Sequence, residues 1–115
     1  MSNFDYTPEL YDLQVNWQQR LSKEKEFFEK IFQQKKVTNM LDIGCGTGRH
    51  AEFFSDYAGS ITAMDPSRDM INYAKEHVIR SGKIKLVEGG FENLGTLVRQ
   101  QFDLIVCLGL SLIHI

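Results

Sequence analysis

MLDIGCGTGRH, residues 40–50, places glycines at positions 44, 46 and 48 directly behind an apolar stretch, and the reading of this segment decides the fold. VTNMLDI, residues 37–43, is short, apolar and closed by Gly44, as expected of a strand buried on both faces of a parallel sheet. A helix signal, RHAEFFSDYA, follows the glycines and stops at Gly59. Strand, glycine loop and helix together form the first half of a βαβ unit. Glycines at such a turn allow left-handed backbone and let a ligand approach the main chain closely. The helix behind them offers unpaired N–H groups and a partial positive charge, which favours a carboxylate or phosphate. A tight turn without ligand is the alternative.

Outward from this point the alternation continues. SITAMD reads as a second strand ending at Asp65, PSRDMINYAKEHVIRSG as a helix with Pro66 near its start, and KIKLVE as a third strand. FENLGTLVRQ is a short, glycine-interrupted helix and FDLIVCL a fourth strand. On the other side, from about Glu9 to Gln34, Leu10, Trp17, Leu21, Phe28, Ile31 and Phe32 recur at helical spacing, with Thr7-Pro8 as a start signal. The pattern predicts an α/β, Rossmann-like, doubly wound parallel sheet with helices on both faces, an N-terminal helical segment over residues 1–36 and about four strands. In such a sheet ligands bind beyond the carboxyl ends of the strands, where the strand order reverses. No repeat or linker divides the 115 residues, so one domain is expected.

Charge and composition narrow the partners. Thirteen Lys and Arg against fifteen Asp and Glu give a net charge of -2 and no basic field for nucleic acid. No apolar run reaches the roughly 20 residues of a membrane span, and MSNFDYTPEL lacks the basic and apolar regions of a signal peptide. A cytoplasmic location is expected. Cys45 and Cys107 form no C-x-x-C pair, so no metal site or disulfide framework is expected, and both are read as reduced and buried.

The loop spacing discriminates between ligands. Gly48 is one residue early for G-x-G-x-x-G, which disfavours an NAD-dependent oxidoreductase, and Thr47 and Arg49 do not complete a triphosphate-binding loop. Asp65 ends its strand about twenty residues beyond Gly44, the separation that sets a carboxylate beside the loop to accept ribose hydroxyls. Capping of the next helix is its alternative role.

These residues resemble class I S-adenosylmethionine-dependent methyltransferases, whose first motif is an apolar strand, an acid and G-x-G-x-G, here MLDIGCGTG. The similarity continues through ITAMDPSRDMINYAK and FDLIVCLG, and so spans nearly all of residues 37–109. YDLQVNWQQRLSKEKEFF is also, more weakly, similar to the start of glycine and sarcosine N-methyltransferases. The resemblance implies S-adenosyl-L-methionine as cofactor, with the backbone at Gly44, Cys45, Gly46 and Gly48 against its amino-acid part. Asp42 would support the loop or the ammonium group, and Asp65 would hold the ribose. Pro66 and Met70 would lie beside the adenine, Met70 being equally readable as core. Where the family often has Gly-Asp after the third strand, EGGFENL has Gly90, which leaves adenine recognition to the main chain at Phe91. Cys107 to Gly109 would pass the methionine portion, and Tyr11, with Tyr6, would close over the cofactor or else join the core.

The implied reaction is methyl transfer to a small-molecule acceptor, a nitrogen nucleophile being favoured by the N-terminal similarity. A non-catalytic cofactor-binding or interaction module is the alternative. No catalytic base is nominated, since His50 reads as a packing or capping residue and His77 as solvated. Family members continue with about three more strands. LSLIHI, residues 110–115, departs from the family pattern and resembles one reading frame of a transposon-end adaptor, so native sequence is expected to end near Gly109 and the chain to be a fragment carrying mainly the cofactor half. A coincidental apolar tail is the other reading. The oligomeric state is left open.

Overall fold

The computed structural model describes residues 8–9, 17–90, 92, 95 and 102–107. Along them run α1 (Trp17–Gln34), β1 (Asn39–Ile43), α2 (Arg49–Phe54), β2 (Ser60–Asp65) and α3 (Arg68–Tyr73), a π-helical turn over Ala74–Val78, then β3 (Ile84–Glu88) and β4 (Leu104–Val106). The four strands form one parallel sheet in the order β3-β2-β1-β4. Chain order therefore reverses between β1 and β4, and this is the Rossmann-like arrangement that the alternation predicts. Register pairs Asp42 with Ala63 on one side and with Val106 on the other.

Alternation within the strands sends side chains to two clusters. Met40, Ile61 and Ala63 meet Phe28 of α1 and Ala51 and Phe54 of α2, with Ile71 of α3 packed against them. Leu41, Ile43 and Met64 point to the opposite side, where Val87 and Phe102 join them. Among the described residues, every helix side chain in these clusters belongs to the first face. The expected helix FENLGTLVRQ falls largely outside the described residues, as do the segment 110–115, Tyr6, Tyr11, Phe91 and Gly109.

An aromatic seam fixes α1 to α2. Phe28 meets Phe54 edge-on with ring centres 4.8 Å apart, and Phe32 stacks on Tyr57 at 5.0 Å. Such geometries add to the area that the rings bury. Phe27, on the outer side of α1, remains 63% exposed.

Several boundaries differ from the sequence-based expectation. Helix α2 ends at Phe54 rather than continuing towards Gly59, and Lys83 Nζ donates to the carbonyl oxygens of Ser55 (3.1 Å) and Ala58 (3.5 Å) at that end. A cation is favourable there because the final carbonyls lack helical donors. The helix after β2 begins at Arg68, because Ser67 is its cap: the Ser67 Oγ accepts the Met70 N–H at 3.2 Å. Its last turn is π-helical, closed by the Ile79 N–H donating to Ala74 O at 2.8 Å. At the far strand, β4 is shorter than FDLIVCL because Asp103 turns its side chain back on β1. The Asp103 Oδ2 accepts the N–H groups of Thr38 (2.8 Å) and Asn39 (3.0 Å), and these bonds lower its pKa. No helix among the described residues is long and apolar enough to cross a membrane.

Candidate functional site

Strand β1 ends where β2 and β4 flank it, and the glycine loop leaves from that end. Gly44 and Cys45 N–H groups both donate to Met64 O, at 2.7 and 2.9 Å, which turns the chain over the end of β2. Gly44, Gly46 and Gly48 have φ values of 72°, 56° and 85°, all in the left-handed region that favours glycine. The Gly48 N–H closes the turn onto Cys45 O at 2.9 Å.

Asp65 fastens this loop. Its Oδ2 accepts the Gly46 N–H at 2.9 Å and its Oδ1 accepts the Ser67 N–H at 2.9 Å. The carboxylate thus joins the loop after β1 to the turn after β2. Each oxygen receives one backbone N–H bond and retains a lone pair, so the group can still accept hydroxyl donors. Burial raises the Asp65 pKa while the two N–H bonds oppose the rise. The helix cap that the sequence assigns to Asp65 as an alternative belongs to Ser67, for which a Ser two residues after a strand-terminal acid is the sequence signal.

Asp42 stands differently. Its side chain is 1% exposed, on the sheet face of Met40 and Ala63, and among the described residues neither oxygen has a hydrogen-bond partner. Burial, with the Asp65 charge adding, pushes its pKa up to about 8. The loop is therefore held by Asp65 and not by a hydrogen bond from Asp42.

The remaining expected positions surround this pair. Cys45 is buried in the loop, its thiol pushed well up by burial and by the charges of Asp42 and Asp65, which keeps it protonated and a poor nucleophile. Cys107 lies just past β4 and is exposed, with its pKa raised by desolvation and by Asp42. The expectation of two buried cysteines holds for Cys45 alone. Pro66 is exposed at the turn, Met70 is half-buried in α3, and Gly90 is half-buried beyond β3. Gly48 packs away from the loop mouth, since a Cβ there would lie 2.9 Å from Ile79 Cδ1 and 3.3 Å from Ala74 Cβ. His50 is buried, with Nε2 3.2 Å from Glu24 Oε1 of α1 and its ring beside Phe54. It ties α1 to the start of α2. His77 is exposed on the turn after α3, 4.7 Å from the Tyr73 ring.

At this end of the sheet Asp65 keeps acceptor capacity beside the loop, and Asp42 holds two buried oxygens without donors among the described residues. Comparison with known proteins identifies the family. A family model described as a methyltransferase domain matches residues 40–115. A glycine/sarcosine N-methyltransferase of Aphanothece halophytica is 30% identical over 108 residues, covering 93% of this chain and 41% of the relative. A mitochondrial ubiquinone biosynthesis O-methyltransferase of Schizosaccharomyces pombe is 29% identical over 90 residues, 72% of this chain and 32% of that protein. Among solved structures, the plantazolicin methyltransferase BpumL in complex with SAH superposes with a TM-score of 0.60 at 26% identity, over 90% of this chain and 44% of that one. The chain spans about two fifths of the length of the first of these relatives. On the matched segment and the geometry it contains, the chain belongs to the methyltransferase-domain family.

Proposed function

We infer that the chain binds S-adenosyl-L-methionine over the glycine loop and serves methyl transfer to a small-molecule acceptor, with a nitrogen nucleophile as the favoured class. The observation that carries this reading is the Asp65 carboxylate, which grips the Gly46 N–H of the loop that leaves β1, the strand beside which strand order reverses. Glycine/sarcosine N-methyltransferase relatives support nitrogen as the acceptor atom, while the O-methyltransferase relative favours oxygen as a second reading. The SAH-bound structural neighbour supports the cofactor.

When bound, the cofactor supplies a methyl group on a sulfonium sulfur for in-line displacement. The chain's own residues supply position. Asp65 would receive the ribose hydroxyls on the lone pairs that Gly46 and Ser67 leave open, and Asp42 would balance the ammonium end. The left-handed backbone at Gly44 and Gly46 shapes the loop without side chains at those positions. Holding two reactants in line and excluding water accounts for most of the acceleration such a displacement needs. His50 is committed to Glu24 and to the aromatic seam, so proton removal is not assigned to it. A neutral amine acceptor requires no base.

Calorimetric titration of S-adenosylhomocysteine into the 115-residue chain tests the cofactor reading, with Asp65→Ala as the comparison. Binding weakened at least tenfold in the variant is the expected result, since a charge-assisted hydrogen bond to a hydroxyl contributes about 1.5–3 kcal/mol. A folded chain that gives no heat overturns it. Methyl transfer to glycine and sarcosine, set against hydroxyl acceptors, then separates nitrogen from oxygen.

A further inference from the structure

Two carboxylates share the end of the sheet, and their surroundings are opposite. Asp65 has a backbone N–H on each oxygen, whereas Asp42 is more completely buried and, among the described residues, has a donor on neither. Among the described residues, no positive charge acts on Asp42. Strand β2 brings Asp65, the loop brings the Cys45 thiol, and the segment after β4 brings Cys107. Helix α2 begins beyond the loop with Arg49 and with His50, which is paired to Glu24 of α1. Of all these, Asp65 is the group whose charge acts on Asp42, and it acts in the same direction as burial. An ionised carboxylate so placed is penalised by lost hydration and by like charge, and such a group takes up a proton instead.

We propose that Asp42 is a neutral carboxylic acid in the free protein at neutral pH and ionises only against the cationic end of a ligand seated over the glycine loop, so that binding releases one proton. The proposal rests on the cofactor reading above and adds the regulation of that site by pH. In the step, the O–H bond of Asp42 breaks, its electron pair stays on the carboxylate opposite the ligand's ammonium, and the proton passes to solvent. Charge is conserved within the pocket: one positive ligand group enters and one proton leaves.

The sign follows from proton counting. The free protein holds one more proton than the complex, so raising the pH favours the complex. Affinity for a ligand whose α-ammonium stays protonated over this range rises about tenfold per pH unit between pH 6 and the Asp42 pKa of about 8, then levels off. A ligand with ribose and adenine but no ammonium shows no such rise.

The test is calorimetry of the 115-residue chain at pH 7 in phosphate and in Tris, whose different ionisation enthalpies report the number of protons released. The probes are S-adenosylhomocysteine and adenosine. Expected are close to one proton for the first and none for the second, with Asp42→Asn abolishing the release and flattening the affinity between pH 6 and 8. Asparagine keeps the shape and the neutrality of the protonated acid, so the variant retains the fold. S-adenosylhomocysteine binding with no proton released, or with release that persists in Asp42→Asn, overturns the proposal and leaves the cofactor reading standing. Failure of both probes to bind overturns the cofactor reading itself. Infrared titration of the free protein decides the state of Asp42 in either case: a protonated-carboxyl band that disappears above pH 7 and is missing from Asp42→Asn supports the proposal, and one lost below pH 6 overturns it.

Discussion

At the scale of the residue, burial of Asp42 has an effect on stability that needs no ligand. Its pKa in the folded chain is raised to about 8, whereas an unfolded chain has the ordinary carboxylate value near 3.8. Between these values the folded state holds a proton that the unfolded state has lost. Stability from this group is fully present below the lower value and is lost as pH rises through the higher one, by about 1.4 kcal/mol per unit. Asp65, also raised, adds in the same direction. Urea unfolding is expected to show a less stable protein at pH 8 than at pH 5, with most of the difference absent from Asp42→Asn. An unchanged difference in the variant would mean that Asp42 is solvated. The acid itself was legible in LDIGCG, but its lack of partners was not. That depends on which backbone amides reach which carboxylate, and the Gly46 N–H goes to Asp65.

At the scale of the element, the third glycine serves packing as much as the loop. Gly48 starts α2 at φ 85° with Ile79 and Ala74 pressed against the place where a Cβ would stand. The π-helical turn brings this about, because the bond from Ile79 N to Ala74 O spans an extra residue and carries Ile79 round towards α2. Gly48→Ala is expected to lose about 1–2 kcal/mol through the left-handed backbone alone. Adding Ile79→Val relieves the contact and is expected to recover only part of the loss, as measured by urea midpoints. Full recovery would assign the cost to the contact rather than to φ. Hydrophobic period identified both helices here and could not identify the π turn, since one inserted residue barely disturbs the spacing of Ile71, Ala74 and Val78. Ser67 as cap was hidden for another reason: Pro66 is an equally good start signal, and only the Asp65 turn displaces the first helical residue to Arg68.

For the whole molecule, β4 is the strand that completes the reversal of order, and it is short. Three residues pair with β1, and Ile105 on it is 50% exposed. Its hold is reinforced at the start by Asp103, whose carboxylate takes two amides from the beginning of β1. Asp103→Ala is expected to raise hydrogen exchange at the β4 amides well above that at β2 while leaving the β1–β2 ladder protected. Equal exchange in variant and parent would show that strand pairing alone holds β4. The parallel sheet and the reversal of order at the glycine loop were legible from alternation and from the handedness of crossovers. The Asp103 clamp was not, because an acid ahead of an apolar strand reads as a solvated boundary and its partners lie 64 and 65 residues away.

That clamp also orders events in time. A ribosome delivers β1, the glycine loop, β2 and β3 before β4 exists, and their pairings span far shorter stretches of chain than the one that Asp103 closes. Contacts between near neighbours in sequence form first because they confine the chain least. Asp65 can therefore seize the Gly46 amide while the polypeptide is still being made, and the corner between the glycine loop and β2 takes shape on a nascent chain before β4 has been translated.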